Sequence, residues 1–460
     1  MSDNAKLTRG SIPGHLVTQT APMVIGVAAI MSIGLVDTYF IGQLGAPQLA
    51  AMSFIFPISV ALSSLGVGIM VGINSVVARA LGAGNDERAA RRANFGMVFA
   101  VGCGIALGLA LFLLMDPLFR LMNAEDDLLP FIRTYMRPYA VSFPLLLAIM
   151  GINGVLRGQG EAKKTSLISV TYAAANWVLD PILITGAFGF GGLGIVGAAY
   201  ATAIGWACGI AAGFVLLRKT ALPFDLTLLK RCGVGESAAA ILKVAGPAAF
   251  SNAINPIGLS ILTALIAIEG QAAVAGFGAA GRLQSFAVVP LLALSGAIGG
   301  IVGQNWGADR HGRARKAAAY AGGFSIVYGL AIAVLLFAFG DWFADIFTEE
   351  AAVIEQFSRY LTIAAWGYAG YGLLIVGNGV LNAVDKASLA LLQSCARVFL
   401  VMLPFAWFLR SSWGADAIYA AELASNVAGG AVSAAVVWWV LRDRSTTAPA
   451  KSVSAEPEAA

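Results

Sequence analysis

Charge is what this sequence has least of. Only 12% of its 460 residues are Asp, Glu, Lys or Arg, about half the share of an ordinary soluble domain. So little polarity cannot cover a soluble core. Histidine is rarer still, with His15 and His311 alone. No H-E-x-x-H, no Ser-His-Asp arrangement and no G-x-x-x-x-G-K-[ST] phosphate loop occurs, which argues against a hydrolase and against an ATP-driven pump. The chain is therefore expected to be no enzyme and to need no cofactor. Four cysteines, Cys103, Cys208, Cys232 and Cys395, show no metal or redox spacing and read as small packing residues. No cleavable signal peptide is evident, because Met1–His15 is polar and the first apolar stretch is long enough to span.

What is there is apolar length. Charged residues are missing from 17–36, 38–78 and 181–217, among other blocks, and roughly 20 mostly apolar residues suffice for a spanning helix. The blocks predict twelve spans at 16–43, 49–79, 93–115, 131–156, 164–186, 194–217, 241–268, 272–304, 317–340, 353–383, 388–410 and 415–441. Most of the 29 Lys and Arg residues then fall on one side. The positive-inside rule makes that side cytoplasmic and puts both termini there. The net charge of +4 thus reads as orientation in a bilayer, with no nucleic-acid partner implied.

A shift of 225 residues lays the chain on itself. Gly45 meets Gly270, Gly82-Ala83 meets Gly307-Ala308, and Gly154-Val155-Leu156 meets Gly379-Val380-Leu381. The shift carries span 1 onto span 7, so the halves share one orientation, and a substrate path is expected between them. The organisation read from this is a cytoplasmic segment 1–15, a first lobe 16–217, a loop 218–240, a second lobe 241–441 and a disordered cytoplasmic tail 442–460.

Several motifs around these repeats carry a family resemblance. Val36-Asp37-Thr38-Tyr39-Phe40-Ile41-Gly42 closes span 1, Ala80-Leu81-Gly82-Ala83-Gly84-Asn85 follows span 2, and Arg157-Gly158-Gln159-Gly160 follows span 4. The second half has Arg282-Leu283-Gln284-Ser285-Phe286 and Gly303-Gln304-Asn305-Trp306-Gly307-Ala308. Together they resemble the multidrug and toxic compound extrusion (MATE) family over residues 15–441. Asn176-Trp177-Val178-Leu179-Asp180-Pro181 is similar to its DNA-damage-inducible branch. The resemblance implies an all-α integral membrane protein of twelve helices, in two pseudo-symmetric six-helix lobes around a central cavity. It also implies multidrug export by proton or sodium antiport through first-lobe carboxylates. Asn255 stands where another branch has a span-7 glutamate, which argues against a second-lobe coupling site.

Asp37 is an acid inside an apolar run, a placement that usually faces a bundle interior or a water-filled cavity. The alternative is an interface position at the outer end of span 1. Asp180 is one turn after Asn176, so the two share a helix face; the alternative is a cap, since a residue before proline disfavours helical geometry. Thr202 and Tyr139 fall near the same depth. Asp37, Asn176, Asp180 and Thr202 form the expected ion-coupling set, able to share a proton or hold Na⁺, with Tyr139 an addition. Pro22 bends span 1 or fills a first turn. Asn255 is expected in the substrate cavity, and Arg397 and Arg282 have no evident partner. The expected cargo is a small amphipathic, cationic drug-like molecule, exported by a monomer in lipid at a bacterial inner membrane. A lipid-linked sugar or lipid flippase is the alternative, favoured only by a cationic cavity.

Overall fold

In lipid every backbone N–H and C=O must find a partner within the protein, so apolar blocks of this length become helices. The computed structural model describes residues 4–231 and 233–442, and those described residues are helical with short connections. Cys232 and 443–460, most of the expected tail, lie outside them; Arg442 ends the last helix.

The first half holds α1 (Ile12–Gly42), α2 (Ala46–Gly82), α3 (Asp86–Leu121), α4 (Leu129–Gly158), α5 (Ala162–Asp180) and α6 (Ile195–Leu217). The second holds α7 (Val234–Ile266), α8 (Gln271–Ala287), α9 (Val289–Gly307), α10 (His311–Ala338), the short α11 (Gly340–Phe347), α12 (Ala351–Ala364), α13 (Tyr368–Ala383), α14 (Ala387–Cys395), α15 (Leu403–Trp413) and α16 (Ala415–Arg442). Eleven helical segments are long and apolar enough to span, and α8–α9, bent by 42°, supply the twelfth. The expected eighth span is therefore broken, not straight. Pro290 lies in the first turn of α9, where it can give no N–H to a helix running on from α8.

The repeat is structural as well as textual. Adding 225 to the bounds of α2 gives those of the α8–α9 pair. Glycines recur at equivalent contacts too. A Cβ at Gly154 would meet the Met70 carbonyl, and one at Gly379 the Ser295 carbonyl.

Each lobe has its own apolar core, and a third cluster ties the amino-terminal segment to α9. The lobes meet at the end where Arg79, Arg88, Arg310 and Arg313 gather, called here the basic end. There Gly82 lies against the Gln304 backbone and Gly307 against the Arg79 backbone. Gln304 accepts from Leu7 N at 3.0 Å and donates to the Gly158 carbonyl at 2.8 Å. Asn305 donates to the Leu7 carbonyl at 3.0 Å, and Arg310 to that of Thr8 at 2.7 Å. Residues 4–15 are thus a strap across the seam. Away from the basic end the lobes diverge, and α2 shows it: its last turns are almost wholly buried, while most of the positions before Ser64 are not.

Candidate transport site

Divergence of the lobes leaves a cavity of about 560 Å³ between them, the size that takes a drug-like molecule. It runs from Thr38 and Met52 down to Asn74, Gly299 and Ala383 at the seam.

Gly26 lets α1 approach α5 closely, since a Cβ there would sit 3.1 Å from Ser166 Cα. Both helices continue in the same direction from this contact. Asp37 and Asp180, about three and four turns further on, reach the same level and face each other. Asp37 lines the cavity and Asp180 lies fully buried behind it. The cap reading of Asp180 fails: it makes no cap hydrogen bond, and the helix runs on through a π-helical turn, Pro181–Thr185. Such turns widen a helix locally and are frequent at functional sites. Asp37, five residues before the end of α1, is buried within the protein.

Among the described residues, both Asp180 oxygens, Asp37 Oδ1 and Asn176 Oδ1 have no hydrogen-bond partner. Asn176 Nδ2 donates to Thr202 Oγ1 at 3.4 Å, so α5 and α6 hold these two side chains together. A buried carboxylate without donors is costly; a shared proton, or a cation among these oxygens, relieves that cost. Hard oxygen donors of this kind suit Na⁺ as well as H⁺.

Tyr139 is in the cavity wall, but its hydroxyl turns to Ser59 and Ser63 of α2 while its ring meets Trp206 at 5.5 Å. The tyrosine facing the carboxyl pair is Tyr135, one turn earlier, which sequence reasoning passed over. Pro22 is well inside α1, with Pro13 in the first turn, so the first-turn reading of Pro22 is corrected. It lies closer to the basic end than Val27, the first lining residue of α1.

Asn255 lines the cavity and accepts from Arg397 Nη2. Arg397 Nη1 donates to Asn426 Oδ1 at 2.6 Å, and the guanidinium lies over the Tyr371 ring at 5.5 Å. Spans 7, 10 and 12 therefore supply the partners that sequence left unnamed for this residue of span 11. Span 11 too contains a π-helical stretch, Ala396–Met402. Beyond Arg397, in a side pocket of about 70 Å³, is Glu422 of α16. Glu422 is buried and accepts from Gln284 Nε2 and from the Tyr360 hydroxyl at 2.8 Å. The second lobe thus holds a buried acid that sequence reasoning missed. Arg157 was also misplaced. Expected just after span 4, it is instead the penultimate residue of α4 and lines the cavity floor.

Two lobes of six spans, meeting at one end and open to a largely apolar cavity with a buried acid pair, define a membrane transporter. The chain belongs to the MatE family, whose profile matches residues 22–182 and again 247–408, once per lobe. A relative described as an FAD transporter, from Shewanella oneidensis, is 31% identical over 88% of this chain and 90% of its own length. The Bacillus subtilis protein YpnP, described as a probable multidrug resistance protein, is 27% identical over the same shares. Among solved structures, the Vibrio cholerae MATE transporter VcmN superposes with a TM-score of 0.90 at 28% identity, over 96% of this chain and 98% of that one.

Proposed function

We propose that this transporter is a secondary exporter, antiporting amphipathic organic compounds against H⁺ or Na⁺ through Asp37 and Asp180. The observation that carries the proposal is the facing acid pair, buried without hydrogen-bond donors on three of its oxygens and open to the cavity through Asp37. A proton or cation bound there and a cationic cargo group near Asp37 compete for one negative charge, which is the linkage antiport requires. The cavity's opening away from the basic end corresponds to an outward-facing state if both termini are cytoplasmic in an inner membrane. A flippase of lipid-linked sugars or lipids would call for a cavity dominated by cationic charge. Here Asp37, Asp180 and Glu422 accompany Arg157 and Arg397.

The test is efflux of a cationic dye from proteoliposomes with proton and sodium gradients imposed separately. Wild type should respond to at least one gradient. Asp37→Asn and Asp180→Asn should each insert and fold yet lose that response, and the double variant should be no worse than either single one. Gradient-driven export by a well-expressed Asp37→Asn protein would refute the mechanism.

A further inference from the structure

The charges in the cavity are not equally compensated. Arg397 has two amide acceptors, an aromatic face and Glu422 beyond it. Arg157, the penultimate residue of α4, has none of these. Its Nε is buried without a partner, and among the described residues no carboxylate pairs with its guanidinium. Tyr172 is its polar neighbour. Around it, Asn74, Asn153 and Asn382 line the same floor, and the NH2 group of each amide is a donor that an anion can use. The opposite lobe keeps this floor open with glycine. A Cβ at Gly296 would lie 2.9 Å from Arg157 Nη1, and one at Gly299 would lie 2.7 Å from Asn74 Nδ2. A guanidinium left without an anion in a partly dry site is costly, and its planar fork matches a carboxylate or phosphate.

We propose that Arg157 and this amide floor form an acid-binding subsite, so that the cargo is an aromatic amphiphile carrying a carboxylate or phosphate. The assignment rests on the antiport reading for the other end of the cargo, where a cationic group would meet Asp37. Between the two ends the cavity wall includes Tyr135, Tyr139 and Trp206, rings packed on one another that an aromatic body can meet edge-on. Carboxylate and phosphate present the same chemistry to Arg157, and matched probes separate them.

The experiment measures binding to detergent-purified protein by fluorescence polarisation or quenching. One pair is a carboxyl rhodamine and its methyl ester; the other is flavin mononucleotide and riboflavin. Within each pair the ring system is constant and only the acid changes. Wild type should favour the acid member of at least one pair by roughly tenfold or more, the worth of a hydrogen bond to a charged group. Preference within the rhodamine pair assigns a carboxylate, and preference within the flavin pair a phosphate. Arg157→Gln should erase the preference while leaving ester and riboflavin affinity in place, and Arg157→Lys should keep part of it. If Arg157→Gln does not fold, Gly296→Ala crowds the guanidinium and the flexible end of Met23 from the other lobe with no change of charge, and should lower acid affinity alone.

No discrimination within either pair, or discrimination that survives Arg157→Gln, overturns the subsite. So does displacement by phosphatidylglycerol of a probe that neither acid member displaces, because the floor would then hold a lipid headgroup. Binding in detergent involves no gradient, so the two proposals fail separately. An Asp37→Asn protein should keep the acid preference, while a wild type indifferent to both gradients would sink antiport and leave the subsite standing.

Discussion

Gln304 commits both ends of its amide to the chain's own backbone, Leu7 N on one side and the Gly158 carbonyl on the other. Gln304→Ala leaves both without a partner in a buried seam, at about 1–3 kcal/mol for each group. Thermal unfolding of the purified protein should show a clear loss. Tyr360 occupies a similar position in the second lobe, where its hydroxyl serves both Glu422 and Gln284. Tyr360→Phe should cost about 1–3 kcal/mol, and less in a Glu422→Gln background, measured by the same unfolding as a double-mutant cycle. Asn255→Ala should leave ion dependence unchanged, since Asn255 contacts Arg397 and not the acid pair; loss of coupling in that variant would move the ion site into the second lobe. Asp37 and Asp180 were legible in the sequence because an acid inside an apolar run stands out. Arg157 and Glu422 were not. Each stands beside an uncharged block, and whether a block's edge faces a loop or a cavity is set by helix packing, which a single sequence does not print.

Among the elements, α3 extends from Asp86 to Leu121, well beyond the uncharged stretch 93–115. Uncharged runs mark the slab of lipid, whereas helices continue past it on charged turns, here from a cap in which Asn85 accepts from Arg88 N at 2.9 Å. The strap 4–15 was readable only as a polar lead-in, because its partners lie some 300 residues away in α9. Its other anchor is Glu161, which pairs with Lys6 and, at 3.2 Å, with Lys164. Burial works against the charge of Glu161, but the hydrogen bonds and charges of Lys6 and Lys164 outweigh it and hold the carboxyl below its usual range. A carboxyl lowered on folding stabilises the folded form above its unfolded value of about 4.3, and that contribution fades as pH falls through the lowered value. Hydrogen exchange in 4–15, taken relative to the intrinsic rate at each pH, should therefore rise on acidification below about pH 4. In Glu161→Gln it should be faster at neutral pH and lose that dependence.

For the whole molecule, the side of the membrane remains a matter of charge counting, and reporters test it. A reporter active only in the cytoplasm, fused after Lys230 or at Ala460, should be active at both points; silence at either, from a well-expressed protein, would mean a miscounted span. The seam can be probed through Gly82, where any side chain would strike the Gln304 backbone. Gly82→Val should part the lobes at the basic end and expose a cysteine placed at Ser75, now bonded to the Asn382 carbonyl at 2.7 Å, to a thiol reagent supplied from that side. Labelling no faster than with Gly82 intact would mean that the seam yields elsewhere. The same contact speaks of history. Gly82 rests on the backbone of residue 304 and Gly307 on the backbone of residue 79, equivalent glycines meeting equivalent carbonyls across a two-fold axis, as in a dimer of identical chains. A glycine against a peptide carbonyl does not distinguish one half from the other, so an unfused ancestral half could have closed this seam with a copy of itself. Residues 1–232 and 233–460, expressed as two separate chains, should find each other in the membrane and co-purify.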